Sequence, residues 1–212
     1  AMIDRYPSLI AAELSLPGPR TDGAVVQVGT RFLYVGGSDG ASASPAVYVA
    51  ELAGSGNYGA WAEGPPLPEA RTDAGAAFLA GKAYVVGGAG ADGAPSATTL
   101  VLSPDPATGA LGTWAANEAL ALPAPRRGGT LVAASDGLIY VGGADASGPT
   151  TTVWKANLDS KGGLSAWKPQ AELAAARVDA NAAIIGDFLW VYGGSDAAGP
   201  SRLVQIGRFV KE

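Results

Sequence analysis

The side chains that could carry chemistry in this chain are carboxylates, lysines, tyrosines and arginines, because its 212 residues include no histidine and no cysteine. Without histidine, the commonest general base and the commonest transition-metal ligand are both missing. Zinc hydrolases, haem proteins, Ser-His-Asp triads, disulfides and thiolate chemistry are therefore excluded within this chain. What remains is carboxylate chemistry of the kind that glycosidases use, and recognition by charge.

Charged residues recur at regular intervals along the chain. Arginine occupies four regularly spaced positions, and an aspartate follows two residues later at three of them. A further aspartate follows each of four Gly-Gly pairs. Because loops on a rigid scaffold are where binding residues concentrate, we expect these residues to form a recognition surface. The candidate binding residues are Arg20, Asp22, Asp39, Arg71, Asp73, Asp92, Arg126, Arg127, Asp145, Arg177, Asp179 and Asp196.

This charged set predicts binding and not catalysis. Residues that recur in every repeat are better explained by repeat geometry than by a single active centre. No segment has the dense Asp-x-Asp-x-Asp-Gly pattern of a calcium loop, so we expect no metal and no cofactor, with calcium held by loop oxygens as the alternative. Arg126-Arg127 is the clearest break in the repeat and predicts an anionic ligand there, a partner carboxylate or a sugar acid. Facing aspartates acting on sugars are the enzymatic alternative.

Composition narrows the class of protein further. The net charge is −5 and no Lys/Arg-rich run occurs, which argues against a nucleic-acid partner. No apolar stretch approaches the roughly 20 residues of a membrane-spanning helix, so we expect no membrane insertion. Glycine (31) and proline (15) are frequent while charged residues make up 16%, as in all-β proteins of many short strands.

A repeat of about 50 residues organises the chain. Gly-Gly pairs recur in steps of 51, 55 and 51 residues, each after an aromatic, β-rich run. Each repeat arginine lies 17 residues before the second glycine of its pair, and a leucine lies four residues before each arginine. The pairs are Gly36-Gly37, Gly87-Gly88, Gly142-Gly143 and Gly193-Gly194, and the leucines are Leu16, Leu67, Leu122 and Leu173.

The order of arginine, apolar run, aromatic run with Gly-Gly, variable loop, tryptophan and leucine resembles the kelch repeat. The segments NYGAW, ALGTW and GLSAW also look like the Gly-x-Trp hairpins of bacterial kelch-like proteins. The resemblance implies an all-β, kelch-like β-propeller with four blades of four antiparallel strands. It also implies that the protein is a rigid platform for partners. The copper oxidases of this type need cysteine and histidine, which this chain lacks.

Each repeat predicts four strands, which in the second repeat are 75–80, 82–86, 97–102 and 113–120. The segment 9–17 aligns with the fourth strand of the repeats, with Ile10 in place of tryptophan, so it is predicted to complete the last blade. We therefore expect a single domain over 1–212 with blades at about 20–68, 71–123, 126–173, and 177–212 plus 9–17. The alternatives are part of a larger ring, or a homodimer in which two copies form eight blades.

Several residues also have structural expectations. No helix follows the Gly-Gly pairs, so they are not expected to form a phosphate loop. They are predicted instead to be positions that need a positive φ or allow close approach between blades. Trp61, Trp114 and Trp167 recur in register and are predicted to pack the blades. The loops that carry the arginines and those that follow Gly-Gly are predicted to emerge on one face, with the arginines bonded to carboxylates or carbonyls.

The function expected from these observations is a binding or scaffolding module without catalytic activity, which recognises a protein or a carbohydrate. A structural unit of a larger cell-surface protein is the further alternative. The alanine- and glycine-rich composition and the Gly-x-Trp segments favour a bacterial setting, secreted or on the cell surface.

Overall fold

A computed structural model describes residues 14–53 and 58–209, and over these ranges the chain is all-β. Its antiparallel sheets are arranged as a β-propeller with four blades. The single helix within the described ranges is a one-turn 3₁₀ helix at Glu118–Leu120. The predicted fold class is confirmed.

Blades 1 and 2 are four-stranded antiparallel sheets in which each strand pairs with the next along the chain. Blade 1 consists of β1 (Ala24–Val28), β2 (Arg31–Val35), β3 (Val47–Glu51) and β4 (Ala62–Glu63). Blade 2 consists of β5 (Gly75–Leu79), β6 (Lys82–Val86), β7 (Thr99–Leu102) and β8 (Trp114–Ala116).

Blades 3 and 4 follow the same order with short additional strands in their loops. Blade 3 consists of β9 (Arg127–Ala134), β10 (Gly137–Asp145), β12 (Val153–Asn157) and β13 (Lys168–Pro169), with β11 (Gly148–Pro149) in a loop. Blade 4 consists of β14 (Asn181–Ile185), β15 (Phe188–Tyr192) and β18 (Val204–Arg208), with β16 (Ser195–Asp196) and β17 (Gly199–Pro200) in a loop.

The core lies between neighbouring blades, because each central strand alternates its side chains between two apolar faces. Leu33 and Val35 of blade 1 pack on Val85 of blade 2. The opposite face of blade 2 carries Tyr84 and Val86 against blade 3, and Ile139 and Val141 of blade 3 meet Leu189 and Val191 of blade 4.

The outer strands anchor the blades through tryptophan, as predicted. Trp114 is 5% exposed in the cluster between blades 1 and 2, and Trp167 is 6% exposed in the cluster between blades 2 and 3. The indole Nε1 of Trp167 donates to the Leu120 carbonyl across 2.7 Å. Trp61, the equivalent residue of blade 1, is half-buried.

The Gly-Gly pairs have the backbone conformation that the sequence predicted. All eight glycines have φ between 64° and 88°. At Gly142 a Cβ would lie 2.5 Å from the carbonyl oxygen of Arg177, which belongs to the next blade. The next residue, Gly143, donates its N–H to that same carbonyl across 2.7 Å. Position 142 therefore requires glycine for two reasons, the close approach of the blades and the positive φ.

Blades 4 and 1 are joined differently from the other neighbours. Gly37 donates to the Arg71 carbonyl and Gly88 donates to the Arg126 carbonyl, each across 2.8 Å, as Gly143 does to Arg177. The corresponding bond from Gly194 to Arg20 does not occur, although both residues lie within the described ranges. This junction is called the seam below. Residues 9–13 of the predicted closing strand lie outside the described residues, so their pairing stays a prediction. Residues 14–17 are described and make no backbone hydrogen bond to β18.

Candidate functional site

The loops that carry the charged repeat residues lie on one face of the propeller, as expected, and this face is called the loop face. In blades 1, 2 and 4 the loop before the first strand pairs with the Gly-Gly loop through a short β-bridge, and in blade 3 the equivalent pair, Arg127 opposite Ala144, is part of the β9–β10 ladder. Thr21 bridges Ser38, Thr72 bridges Ala89, and Val178 bridges Ser195. Neighbouring blades add the bonds from the Gly-Gly pairs, so the loops of this face form one hydrogen-bonded layer.

Three of the four repeat arginines are buried within this layer. Arg71 is 3% exposed, Arg126 is 5% exposed and Arg177 is 1% exposed, whereas Arg20 is half-buried. Arg126 pairs with Asp145 at 3.6 Å, Arg177 pairs with Asp196 at 3.3 Å, and Arg71 pairs with Glu69. The predicted bonding of the arginines is thereby confirmed, and their charges are used inside the protein.

Two aromatic residues that the sequence left without a role support arginines. The Arg20 guanidinium lies 5.6 Å from the ring centroid of Tyr48 and donates to its hydroxyl across 3.0 Å. The Arg126 guanidinium lies 4.8 Å from the ring centroid of Trp154. A signal was present in the sequence, since both aromatics are the second residue of the third strand of their blades.

The aspartates that follow the Gly-Gly pairs hold the loops in shape. Each accepts the backbone N–H of the residue two positions after it, and Asp39 also accepts that of the residue three positions after it, at 2.8–3.0 Å. These bonds lower the pKa of the Asp39 carboxyl, chiefly through Ser42 and Ala41. The four aspartates, Asp39, Asp92, Asp145 and Asp196, are therefore explained by loop geometry.

The remaining charged residues cluster around the propeller axis. Asp22, Asp73, Gly128 and Asp179 occupy equivalent positions and have φ of 57°, 52°, 61° and 55°. The Asp73 N–H donates to the Asp22 carbonyl at 2.9 Å, Gly128 donates to Asp73 at 2.8 Å, and Asp179 donates to Gly128 at 2.7 Å. These backbone bonds fix three carboxylates at the mouth of the central channel.

The carboxylates at this mouth influence one another electrostatically. Burial raises the pKa of Asp73, and the negative charges of Asp22 and Asp179 raise it further. Burial also raises the pKa of Asp179, while the Arg127 guanidinium opposes that shift. Three carboxylates and one guanidinium therefore share the mouth, and we call Asp22, Asp73, Arg127 and Asp179 the axial site.

The third blade differs from the other three at this site. Its position for aspartate is occupied by Gly128, and a Cβ there would clash with the Asp179 carboxylate. Arg127 contributes the charge instead and is exposed, unlike the adjacent Arg126. The structure thus separates Arg126 and Arg127, which the sequence grouped as one corner.

The described residues contain no group of three or more acidic side chains arranged to hold a metal ion. Over the same ranges, no helix has the length and apolarity needed to cross a membrane. No protein-family model matches this chain, and no curated protein is significantly similar to it.

Proposed function

We propose that this propeller is a kelch-type binding module that recognises a protein partner on its loop face, over the axial site. The observation that carries the proposal is the distribution of charge on that face. The repeat arginines and the Gly-Gly aspartates are bonded internally, which leaves Asp22, Asp73, Arg127 and Asp179 on a hydrogen-bonded backbone with charges free for a ligand.

The sign of the net charge at the axial site indicates the chemistry of the ligand. Three carboxylates and one guanidinium leave a net negative charge at neutral pH, and the mutual repulsion evident at Asp73 is relieved by a cation. A lysine or arginine side chain of a partner fits this requirement, with its own carboxylate or carbonyl positioned to meet Arg127. A cationic ligand replaces the anionic ligand expected from the sequence, because Arg126 already pairs with Asp145.

A peptide array tests this proposal directly. The parent chain is compared with the triple variant Asp22→Asn, Asp73→Asn, Asp179→Asn on peptides that carry one central lysine, arginine, glutamate or alanine. We expect binding of the basic peptides only, with loss of at least tenfold in affinity in the triple variant. Asp105→Asn with Asp159→Asn is the matched control, because these aspartates lie in the loops between the third and fourth strands, on the opposite face, where an asparagine oxygen can still accept the loop N–H groups. The control removes two negative charges where the triple variant removes three.

Equal binding by the parent and the triple variant would place the ligand elsewhere, and binding confined to acidic peptides would restore the anionic ligand. Recognition of a carbohydrate is tested by the same variants on a glycan array. A placement on a bacterial surface or in a secreted protein rests on the sequence resemblance alone and is part of this proposal.

The raised pKa of Asp73 supports one enzymatic candidate, carboxylate-based action on sugars. A carboxyl whose pKa is raised beside an ionised carboxylate has the property of a general acid. Turnover of glycosidic or sugar-acid substrates that Asp73→Asn abolishes, while Asp39→Asn retains it, would favour this enzyme over the binding module. We expect no turnover above buffer.

A further inference from the structure

Arg127 is a charged residue of the loop face that the fold leaves without a partner. Its neighbour in the chain, Arg126, is 5% exposed and pairs with Asp145 at 3.6 Å. Arg127 is exposed, and no ion pair among the described residues includes it. A guanidinium presents its N–H donors in a planar fork that matches a carboxylate, so this side chain is available to an anionic group of a ligand.

Gly128 shapes the side of the axial mouth next to Arg127. A Cβ at this position would clash with the Asp179 carboxylate and would lie 2.6 Å from Cγ2 of Val178. The Asp179 carboxylate therefore occupies the space over blade 3 that a fourth axial aspartate would fill. Burial raises the pKa of Asp179 and the positive charge of Arg127 opposes that rise, so the two side chains are close enough to interact. Because they form no ion pair, Arg127 keeps donors free for a second carboxylate.

The other side of the mouth carries two carboxylates that form no ion pair among the described residues. Asp22 and Asp73 each accept a hydrogen bond from the hydroxyl of the preceding residue, Thr21 and Thr72. A hydroxyl donor orients a carboxylate without neutralising it, and burial together with the negative charge of Asp22 raises the pKa of Asp73. This side therefore offers negative charge to a cation, while blade 3 offers the positive charge of Arg127.

A ligand that satisfies both sides carries a cation and an anion on one short unit. A lysine within a polypeptide supplies the cation but only neutral carbonyl groups, and a free N-terminus likewise lacks an anion of its own. A lysine or arginine at the C-terminus carries both charges on one residue, because its side chain is cationic and its main chain ends in a carboxylate. A chain end also enters the mouth from one direction, so no second length of chain has to leave across the loop face.

We infer, on the basis of the proposed function, that Arg127 binds the terminal carboxylate of the partner and that the axial site selects polypeptides ending in lysine or arginine. The basic side chain lies between Asp22 and Asp73, and the terminal carboxylate accepts hydrogen bonds from the guanidinium. Arg127 is therefore the specificity-determining residue, whereas the aspartates supply affinity for any basic side chain. The inference also accounts for the break in the repeat, since blade 3 has Arg127-Gly128 where the other blades have an axial aspartate.

Two peptides that differ in one chemical group test this inference. Both have the sequence Gly-Ser-Gly-Ala-Lys with a fluorescent label at the N-terminus, and one ends in a free carboxylate while the other ends in an amide. In the parent chain we expect the free carboxylate to bind about tenfold more tightly, because it adds a charge-assisted pair of hydrogen bonds. In Arg127→Gln we expect both peptides to bind with the affinity that the parent has for the amide. Fluorescence anisotropy measures the four dissociation constants.

Arg202→Gln is the matched control, because it removes one positive charge from an exposed arginine in the loop before β18, outside the axial site. It should keep the preference for the free carboxylate. Asp73→Asn is the complementary variant and should weaken the binding of both peptides by the same factor, since it acts on the basic side chain. Thermal unfolding of Arg127→Gln should match that of the parent, because the side chain is exposed.

The outcomes separate this inference from the proposed function. Equal binding of the two peptides by the parent would overturn the inference and leave the recognition of basic side chains standing. A preference for the free carboxylate that persists in Arg127→Gln would assign the carboxylate to another residue. A peptide with an internal Lys-Glu pair that binds as tightly as the free carboxylate would show that the anion need not be a chain end. If no lysine peptide binds at all, the proposed function itself is contradicted.

Discussion

The guanidinium groups of the buried arginines hold the loop face together. Arg177 at 1% exposure donates to the Ala176 carbonyl and to Asp196, and Arg126 donates to the Pro125 carbonyl while covering Trp154. A buried charge is tolerated only where its hydrogen bonds are made, so each arginine depends on the loop that it stabilises.

Replacing one of these arginines should lower the stability of the protein even when no ligand is bound. Arg71→Ala leaves Glu69 unpaired and a gap at a position 3% exposed, so we expect a loss of about 1–3 kcal/mol in the free energy of unfolding. Urea unfolding followed by tryptophan fluorescence measures it. Arg127→Ala is the control and should change stability by less than about 0.5 kcal/mol, because that side chain is exposed. Equal effects of the two changes would contradict the structural role of Arg71.

The axial carboxylate and the loop carboxylate should respond oppositely to pH. The pKa of Asp73 is raised in the folded state, so the folded chain binds the proton more tightly than the unfolded chain. The contribution of Asp73 to the free energy of unfolding therefore decreases as the pH rises from the pKa of the unfolded chain through the pKa of the folded chain. Asp73→Asn should therefore stabilise the protein at pH 7, and the gain should vanish below pH 3.8, the ordinary pKa of an aspartate.

Asp39 is the matched comparison, because its pKa is lowered by backbone N–H groups. Its contribution is present above the unfolded pKa and is lost as pH falls, so Asp39→Asn should destabilise the protein at pH 7 and have little effect in acid. Thermal unfolding between pH 3 and pH 7 measures both variants. The same sign for the two variants at pH 7 would show that burial and repulsion do not govern Asp73.

The strands themselves follow from the repeat, whereas their polar partners do not. The strands predicted at 75–80, 82–86 and 97–102 correspond to β5, β6 and β7 with differences only at their ends, since apolar alternation and glycine turns fix them. The fourth, predicted at 113–120, is a strand only over Trp114–Ala116, and Glu118–Leu120 form a 3₁₀ helix instead. The partner of Arg71 is Glu69 and not the Gly-Gly aspartate Asp92, because side-chain pairing depends on loop paths that periodicity does not encode. Gly128 was missed for the same reason, since its left-handed conformation emerges only when the blades meet.

The outer strands are short, and their tryptophans compensate for this. Trp114 and Trp167 are equivalent and similarly buried, but only Trp167 has a hydrogen-bond partner, the Leu120 carbonyl at 2.7 Å, whereas Trp114 Nε1 has none among the described residues. Trp167→Phe should therefore cost about 1 kcal/mol more than Trp114→Phe, because both lose similar apolar area but only one loses a hydrogen bond. Chemical denaturation of the two variants measures the difference in their free energies of unfolding. Equal losses of stability would show that the hydrogen bond does not help to anchor the outer strand.

At the scale of the molecule, three junctions repeat one set of backbone bonds. Each has the Gly-Gly bond to the next arginine, a bond from that arginine back to the preceding blade, and a bond between neighbouring axial residues. At the seam, the described residues make none of these bonds. The stability of the ring and the geometry of the axial site therefore depend on how the seam is closed in solution.

A pair of glycines reports the state of the seam. Gly142 and Gly193 are equivalent, with φ of 64° and 69°, but a Cβ at Gly142 would lie 2.5 Å from the Arg177 carbonyl oxygen while one at Gly193 would meet nothing within 4 Å. If the seam is open, Gly193→Ala costs only the roughly 1–2 kcal/mol of a left-handed alanine, and Gly142→Ala costs more. If the segment 9–17 closes the ring, Arg20 faces Gly193 as Arg177 faces Gly142, and the two substitutions cost the same.

We expect equal costs in the full-length chain, measured by urea unfolding. In a chain lacking residues 1–13, the cost of Gly193→Ala should fall to that of the left-handed conformation alone, while the cost of Gly142→Ala should not change. The Gly142 variant controls for general loss of stability on truncation, because its junction lies on the far side of blade 4 from the seam. A smaller cost for Gly193→Ala in the full-length chain would mean that the ring stays open, and the axial site would then have to bind its ligand with Asp22 and Asp179 on separate edges.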